Sequence, residues 1–514
     1  MLTPREIGRR ELLGAMGLGG IVAGTGGLVG LSGCSSDDAV PTTSGSTGTI
    51  SETSTATSTI ATTSSVPPFD PTRPYWQQGN FVAVEVESTI DRLDVSGSIP
   101  PEISGLFVRN GSNPRRNDSA HWFLGDGMLH GVRFENGRAS WYRNRYVATA
   151  LHAAGKDLFD FGGVPGKVFG QSNVALVHHG GRLLTTDEVA WPHEIDTSDL
   201  STVGPWNFGG RLGDSMTAHP KVDPDTGRMH FFGYSFVDPG ITYYVAEPDG
   251  SISHTTRIAL DQAVMIHDFA ITDRDVLFWL GPVLFGPDPD AMYPQVPFHW
   301  DPDGPARVGV MPLGGDGDQI RWVDVDPFFV FHGLNARRDG DDVVAHVHRL
   351  PETFGRRGDL VASHLTEWRI GTGGQQLTFA EQRVSELPMD LPTHDRRHTG
   401  RGSRHGWCVT TTDPDGEFGM ELAGICHIDT KTGREDLWDP PDHLRGGEAV
   451  FIPTGDAEGE GYVTTFVWDR STNRSNLAIF DAQHVSNGPV AEVHLPVRVP
   501  FGFHGLWIDD ADLV

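Results

Sequence analysis

One pattern recurs along most of this chain: a β-rich segment meets a cluster of turn residues and returns as a second β-rich segment. Long apolar repeats with the period of an α-helix are scarce. Short strands joined by turns of Asp, Pro, Thr and Gly are typical of antiparallel hairpins. Four clear examples are KVDPDTGRMHFFGYS, YYVAEPDGSISHTTRIAL, ICHIDTKTGREDLW and VTTFVWDRSTNRSNLAIFDA. The chain is therefore expected to fold almost entirely from hairpins.

A large set of hairpins must protect its strand edges, because unpaired edges invite aggregation. A β-propeller does so with radial blades whose edges are short, and we predict an all-β propeller over residues 71–514. No repeat motif is regular enough to give the number of blades. Two less regular stretches, 147–170 and 281–305, are expected to cover one face. Cys408 and Cys426 fall on neighbouring predicted strands, where they form either a disulfide or two free thiols.

The first 70 residues have the composition of a targeting segment and a linker rather than of a fold. Residues 1–33 carry paired arginines, Arg9 and Arg10, before a glycine-rich apolar run, which is similar to a twin-arginine export signal. The run ends in Leu-Ser-Gly before Cys34, as lipoprotein processing sites do, so Cys34 is the predicted lipidation site. An uncleaved membrane helix is the alternative, although its many glycines make it a poor permanent span. Residues 34–70 are rich in Ser and Thr and are predicted to be a flexible tether.

The acidic character of the chain excludes one class of partner. The formal net charge is −29, and only four residues are lysine. Nucleic-acid binding needs patches of lysine and arginine that neutralise phosphates, so no nucleic acid is expected as a partner. The charge is instead typical of an acidic surface that keeps a protein soluble.

Four of the 23 histidines stand in similar apolar settings. They are His219 in SMTAHPKVD, His267 in AVMIHDFAIT, His332 in FFVFHGLNA and His504 in FGFHGLWI. Their separations of 48, 65 and 172 residues correspond to about one, one and three blades of a seven-bladed propeller of this length. Histidines on the inner strands of different blades would meet at the axis, where converging lone pairs are costly unless a cation lies between them. The four are therefore candidate metal ligands. Imidazole suits Fe, Zn, Cu and Ni, and Fe(II) best fits a site with two open positions.

Several longer motifs, in order along residues 73–514, resemble those of the carotenoid cleavage oxygenases. This family includes apocarotenoid and lignostilbene dioxygenases and the retinoid isomerohydrolase. The motifs are GLFVRNGSNP (105–114), HWFLGDGMLHGVRF (121–134), WYRNRYVAT (141–149), TAHPKVDPDTGRMHFFGYS, MIHDFAIT and LPVRVPFGFHGLW. The resemblance implies a seven-bladed β-propeller with a dome of helices and loops over one face. It also implies one Fe(II) per chain, bound by His219, His267, His332 and His504.

The resemblance further implies glutamates that hold three of these histidines. By local context they are Glu188 in LLTTDEVAWP, Glu386 in VSELPMD and Glu448 in GGEAVFIP. A metal-bound imidazole usually donates its other N–H to a carboxylate, which fixes the tautomer and strengthens donation to the metal. A solvated surface charge is the alternative role for each glutamate. His219 is the ligand expected to have no glutamate partner.

The expected reaction is cleavage of a C=C double bond by O₂ to give two carbonyl products, with iron and a dry cavity but no catalytic acid or base. A carotenoid or apocarotenoid is the favoured substrate, because an enzyme anchored by lipid to the outer face of the cell membrane stands beside a bilayer that dissolves apolar polyenes. A stilbene dioxygenase is the first alternative. It is weakened because the resemblance places a lysine of such enzymes where this chain has Asp187. Isomerisation at the same iron and a non-enzymatic exported propeller that binds a ligand are the others. The protein is expected to be a monomer.

Overall fold

A computed structural model describes the chain from Val66 onward, in seven ranges: 66–114, 119–158, 166–286, 288–292, 296–356, 361–412 and 420–513. The predicted signal segment, Cys34 and the tether up to residue 65 lie outside these ranges. Within them, no helix is both long enough and apolar enough to cross a bilayer.

Strands account for nearly all the regular structure of the described residues. The first five strands are β1 (Ser88–Ile90), β2 (Asp94–Gly97), β3 (Gly105–Arg109), β4 (Met128–Phe134) and β5 (Ala139–Tyr146). A short helix, α1 (Ala150–Ala154), precedes β6 (Ala175–His179), β7 (Arg182–Thr186), β8 (His193–Ile195) and β9 (Thr202–Pro205). Then follow β10 (Lys221–Val222), β11 (Met229–Tyr234), β12 (Gly240–Ala246), β13 (Ile252–Ala259), β14 (Phe269–Ile271), β15 (Asp275–Leu280), β16 (Val283–Phe285), β17 (Phe298–Trp300), β18 (Ala306–Pro312) and β19 (Arg321–Val325).

The second half of the chain continues the same pattern. Its strands are β20 (Phe329–Asp339), β21 (Asp342–Leu350), β22 (His364–Gly371), β23 (Thr378–Arg383), β24 (Met389–His394), β25 (His405–Thr411), β26 (Leu422–Asp429), β27 (Arg434–Trp438), β28 (Leu444–Arg445), β29 (Val450–Pro453), β30 (Gly461–Asp469), β31 (Arg474–Asp481), β32 (Ala491–His494) and β33 (Gly505–Asp509). Short 3₁₀ turns lie at Tyr75–Gln77, Gly79–Phe81, Trp122–Leu124, Phe208–Gly210, Gly317–Gln319, Arg396–His398, Val485–Asn487 and Asp510–Asp512. All four hairpins predicted from the sequence are present, as β10–β11, β12–β13, β26–β27 and β30–β31.

The described strands form seven antiparallel sheets arranged as the blades of a propeller, which confirms the predicted fold. Five blades have four strands each, in the orders β6-β7-β8-β9, β10-β11-β12-β13, β14-β15-β18-β19, β20-β21-β22-β23 and β24-β25-β26-β27. The other two combine strands from both ends of the chain, in the orders β1-β5-β4-β3-β33 and β2-β32-β31-β30-β28, with β29 also paired to β30. A separate hairpin, β16–β17, lies outside the blades.

The innermost strands surround the propeller axis. Strand β14 contacts β20, β20 contacts β24, β24 contacts β29, β29 contacts β33, and β33 contacts β6. The last strand, β33, pairs along its whole length with β3, from Gly105 opposite Asp509 to Arg109 opposite Gly505. The two ends of the chain thus close the ring by hydrogen bonds, so no blade edge at this junction is left open.

Adjacent blades are held together by buried apolar layers. In one of them Trp279 and Trp368 meet edge to face, with 6.0 Å between ring centroids, and both are buried. Truncating such a side chain to Ala costs about 3–5 kcal/mol. Cys408 and Cys426 lie opposite each other on β25 and β26 as buried free thiols, so of the two states left open by the sequence the structure has the reduced one.

The two stretches expected to cover one face do so in their described parts. Helix α1 begins after Thr149, whose side chain accepts a hydrogen bond from the His152 N–H, and it ends at Gly155, where φ is 63°. Leu151 of this helix packs in one buried cluster with Phe298 of the separate hairpin. Together these segments form the dome over one end of the axis.

Candidate metal centre

All four candidate histidines lie on or beside innermost strands. His219 and His267 each stand two residues before such a strand, β10 and β14, and His504 directly precedes β33. His332 is inside β20, at a point where the register with β21 shifts. Because these strands surround the axis, side chains at these positions point to a common centre.

The four imidazole rings meet around that centre. The Nε2 atoms of His219 and His267 are 3.0 Å apart, and those of His332 and His504 are 3.1 Å apart. One nitrogen from each of the four rings lies within 4.8 Å of all the others, which is an arrangement that can hold a metal ion.

Three of the rings are fixed by carboxylates on the side away from the centre. His267 Nδ1 lies 2.6 Å from Glu188 Oε2, His504 Nδ1 lies 2.7 Å from Glu448 Oε1, and His332 Nδ1 lies 2.7 Å from Asp390 Oδ1. An ionised carboxylate only accepts, so each Nδ1 carries the hydrogen and each Nε2 of a neutral ring presents a lone pair to the centre. Among the described residues, no carboxylate is hydrogen-bonded to His219.

These tautomers show whether the residues fit a metal, because they leave ring-nitrogen lone pairs facing one another at the centre. The Nε2 atoms of His332 and His504 face each other at 3.1 Å with no hydrogen between them when both rings are neutral. A proton between the two rings is not easily bound, because burial lowers the pKa of His332 to about 4 even though Asp390 raises it. Burial and the three neighbouring rings likewise hold the pKa of His219 well below its usual value. A divalent cation satisfies all four lone pairs, so the donor set fits a metal.

The three carboxylates are themselves held in place. Glu188 accepts a hydrogen bond from the Tyr234 hydroxyl, and Asp390 Oδ2 accepts one from Ser363 Oγ at 2.9 Å. Glu448 accepts one from the backbone N–H of Gly505, next to the histidine that it orients. Each imidazole is thus fixed through a carboxylate with a second partner, as in metal sites whose outer groups tune the ligands.

The structure corrects one predicted carboxylate. Glu386 lies before β24 with 83% of its side chain exposed, and it accepts a hydrogen bond from Arg383 rather than from a histidine. Asp390, four positions further along, holds His332 instead. The reason is that Asp390 lies on the innermost strand itself, where the register shift before Thr393 and the positive φ of Leu391 interrupt the regular ladder. An acidic residue within the apolar run of an inner strand was the signal available in the sequence.

Asp187, where the resemblance places a lysine of stilbene dioxygenases, fixes the backbone beside Glu188. Its carboxylate accepts hydrogen bonds from five backbone N–H groups, those of Gln171, Ser172, Glu188, Val189 and Ala190. These bonds tie two loops together and fix the backbone of Glu188. A Cβ added to Gly170 would lie 2.1 Å from Asp187 Oδ2, so the neighbouring loop approaches as closely as glycine permits.

An apolar cavity under the dome reaches the histidine centre. His267, His332 and His504 line its inner end, and the space between its walls, including the open mouth, is about 1270 Å³. The side walls are mainly aromatic and aliphatic, and include Phe123, Phe236, Phe298, Phe331, Leu350 and Phe503. A second cavity, whose wall mixes polar and apolar groups and includes His219, His332 and His504, reaches the centre from the opposite side.

The chain is similar to known proteins over most of its length. Residues 81–509 match the sequence profile of the family described as retinal pigment epithelial membrane protein. The chain is 32% identical to a carotenoid 9,10(9',10')-cleavage dioxygenase 1 of Pisum sativum, over 87% of this chain and 92% of the relative. It is 33% identical to a carotenoid cleavage oxygenase of Mycobacterium tuberculosis, over 84% of this chain and 96% of the relative. It is also similar to the crystal structure of a lignostilbene dioxygenase of Pseudomonas brassicacearum, with a TM-score of 0.77 and 28% identity over 85% of this chain and 99% of that one.

Proposed function

Since the chain belongs to the carotenoid cleavage oxygenase family, we propose that it is a non-haem Fe(II) dioxygenase that cleaves a C=C double bond of a carotenoid or apocarotenoid with O₂. The products are two carbonyl compounds, and the iron is one Fe(II) per chain held by the four histidines. The relatives with oxygenase names support an oxidoreductase of the dioxygenase type.

The observation that carries the proposal is the meeting of the histidine centre with the apolar cavity. Three of the four rings form the inner end of a cavity whose walls are mainly hydrocarbon. A long apolar alkene can therefore be placed against the metal position in mainly hydrocarbon surroundings. Bound there, Fe(II) would supply the redox chemistry that lets O₂ react with a closed-shell double bond.

The remaining tasks of the chain are binding, orientation and exclusion of water. The aromatic walls bind the polyene by burial of apolar surface and keep the reacting region dry. Glu188, Asp390 and Glu448 accept the Nδ1–H of their imidazoles and so direct each Nε2 inward, and their negative charges balance a divalent ion. No general acid or base is needed, because both oxygen atoms of O₂ end in the products.

The cavity walls and Asp187 support the choice of a carotenoid or apocarotenoid as substrate. Phenolic stilbenes require a polar group that binds the phenol oxygen. At the position considered for that role, the Asp187 carboxylate is already bonded to five backbone N–H groups. An apolar polyene needs no such group, which favours a carotenoid or apocarotenoid.

The proposal is tested with purified protein reconstituted with Fe(II) and supplied in parallel with a carotenoid, an apocarotenoid and a hydroxylated stilbene. Consumption of O₂ together with aldehyde products from a polyene is expected, and His267→Ala should abolish both iron binding and turnover. His254→Ala, which alters a partly exposed histidine bonded to Gly315, is the matched control and should retain activity. Turnover of the stilbene alone would mean that the substrate is a stilbene and not a carotenoid or apocarotenoid. Formation of an isomer without O₂ uptake would mean that the enzyme is an isomerase rather than a dioxygenase. Binding of a polyene without any product would mean that the protein is a non-enzymatic carrier.

We also propose that the protein is exported and anchored as a monomer to the outer face of the cell membrane through a lipidated Cys34. The support is the pair Arg9 and Arg10 and the Leu-Ser-Gly sequence before Cys34. The double substitution Arg9→Lys with Arg10→Lys should leave the precursor in the cytoplasm, and Cys34→Ala should release the exported protein from membranes. Normal delivery of the first variant would contradict the twin-arginine signal.

A further inference from the structure

The cavity opposite the dome runs along the propeller axis and ends at the histidine centre. We call it the axial channel. Its volume, including the open mouth, is about 1580 Å³. Innermost strands supply most of its wall, including Lys221 of β10, Thr393 of β24, Phe451 of β29 and Trp507 of β33. His219 lines this channel and does not line the apolar cavity, whereas His267 lines only the apolar cavity.

The length of the channel follows from β33. His504, directly before this strand, is at the inner end, and Asp509, its last residue, is exposed at the outer end. Five residues of extended chain cover about 16 Å. The centre is therefore reached from solvent through a path about as long as one inner strand.

The chemistry of the axial channel differs from that of the apolar cavity. Its wall carries the carboxylates of Asp268, Asp395, Glu448 and Asp509 together with the hydroxyl of Thr393. The cations in the wall are Lys221, Arg396 and Arg397, and two of them are paired: Lys221 Nζ lies 2.7 Å from Asp268, and Arg397 lies 2.7 Å from Asp395. Such a wall can replace the water ligands of a divalent ion step by step. The apolar cavity is a poorer path, because its wall is mainly hydrocarbon and an ion stripped of water there loses its solvation without compensation. Its carboxylates, Asp187, Glu188 and Asp390, are already bonded to backbone N–H groups or to histidines.

We propose that the axial channel is the route by which the divalent metal ion enters and leaves the histidine centre. The apolar cavity is then left to the organic substrate, and His219 is the first ligand that the ion meets. This inference rests on the proposed metal centre. It assigns to the face opposite the dome a task that does not depend on which substrate is cleaved.

Arg396 gives the route a charge that can be changed. It lies in the channel wall and donates to the carbonyl oxygen of Gly505 at 3.4 Å, a long hydrogen bond. A fixed positive charge on the path repels an incoming cation. Replacement by a neutral residue should therefore speed metal association by about threefold to fivefold, and more at low salt. Damage to the fold would change the Kd or the circular dichroism spectrum, so faster binding with both unchanged separates the route from misfolding.

The test uses the full chain with Cys34→Ser, stripped of metal by a chelator, and follows Co²⁺ binding by its visible absorbance in stopped flow. Asp509→Cys places a thiol at the outer end of the channel, and Val361→Cys places one on the wall of the apolar cavity. The native thiols Cys408 and Cys426 are fully buried, so a bulky maleimide applied to the folded protein reaches the introduced cysteine. Unlabelled samples of each variant are the matched controls.

Labelled Asp509→Cys should bind Co²⁺ about tenfold more slowly than its unlabelled form, with the same final absorbance and the same Kd. Labelled Val361→Cys should bind at its unlabelled rate, and Arg396→Gln should bind faster than the parent chain. Equal rates for labelled and unlabelled Asp509→Cys, or slow binding only with the label at position 361, would overturn the route while leaving the metal centre intact. A parent chain that binds no Co²⁺ or Fe²⁺ at all would instead refute the metal centre of the proposed function.

Discussion

The carboxylate behind His332 gives the sharpest test of the centre, because the sequence and the structure assign that role to different residues. In Asp390→Asn the side chain keeps its shape and loses its charge. Its amide oxygen can still accept the His332 Nδ1–H, now made at 2.7 Å, and the Leu391 N–H, now made at 2.8 Å. The variant therefore isolates the contribution of the negative charge to the histidine.

The size of the effect can be estimated from the contacts. Loss of a carboxylate that orients a metal-bound histidine typically weakens metal binding by about 10-fold to 100-fold. This is about 1.4–2.7 kcal/mol at room temperature. Asp390→Asn keeps the hydrogen-bond acceptor and should lie near the tenfold end. Asp390→Ala also leaves the N–H groups of His332 and Leu391 without the acceptor that they share, and should lie near the hundredfold end.

The assay is competition for Co²⁺ against a chelator of known affinity, with circular dichroism to show that the fold is intact. Glu386→Gln is the matched control, since this glutamate is 83% exposed and forms only a surface pair with Arg383. Such a pair contributes about 0–1 kcal/mol to stability, and its loss should leave the Kd for Co²⁺ unchanged. An unchanged Kd in Asp390→Asn combined with a weakened one in Glu386→Gln would refute the assignment.

Three further predictions concern groups around the centre and in the blades. Burial lowers the pKa of His230 to about 4, so between about pH 6.5 and pH 4 the unfolded chain binds a proton that the folded chain does not; stability should fall with decreasing pH there, and His230→Gln should reduce the slope in urea unfolding by about 1.4 kcal/mol per pH unit. Glu421 is buried between Arg445 and Arg470, and Glu421→Ala should lower the free energy of unfolding by about 3–5 kcal/mol, whereas a cost below 1 kcal/mol in denaturant titrations would mean that the ion pairs contribute little. Gly170→Ala should displace Asp187 and with it Glu188, weakening Co²⁺ binding by about tenfold, while Gly355→Ala, whose Cβ would meet nothing closer than 3.7 Å, should not; equal affinities would show that the contact relaxes without moving Glu188.

The fold and the four histidines could be predicted because their signals are local. The turn residues of each hairpin are sufficient to predict it. His332 and His504 also share the tetrapeptide Phe-His-Gly-Leu. The ends of apolar runs mark the beginnings of inner strands, which is where the histidines lie. Pattern and position therefore agree without knowledge of the distant partners.

The carboxylates were harder to predict because their role depends on pairs far apart in sequence. Glu188 and Glu448 stand in apolar surroundings that suggest burial. Glu188 is 79 residues from His267 in the sequence, and Glu448 is 56 residues from His504. Glu386 and Asp390 lie four positions apart on either side of the start of β24, and only the position of the strand decides which one reaches the axis. The cluster of backbone N–H groups around Asp187 depends on how two loops meet, which no local pattern records.

The position of His504 connects closure of the propeller with completion of the metal centre. Its backbone N–H donates to the Val174 carbonyl, and its carbonyl accepts from the Asn110 N–H, so this histidine is placed only when the C-terminal segment lies against the N-terminal blades. Strand β33 forms its ladder with β3 across almost the whole described chain, and closing so long a loop costs chain entropy. A metal ion that needs His504 as a ligand binds the closed ring and not the open one. Its binding free energy is then added to the stability of closure, in proportion to the logarithm of the metal concentration relative to Kd. The carboxylate of Glu448 contributes both to the metal centre and to closure of the ring, because it accepts hydrogen bonds from the imidazole of His504 and from the backbone N–H of Gly505, the first residue of β33.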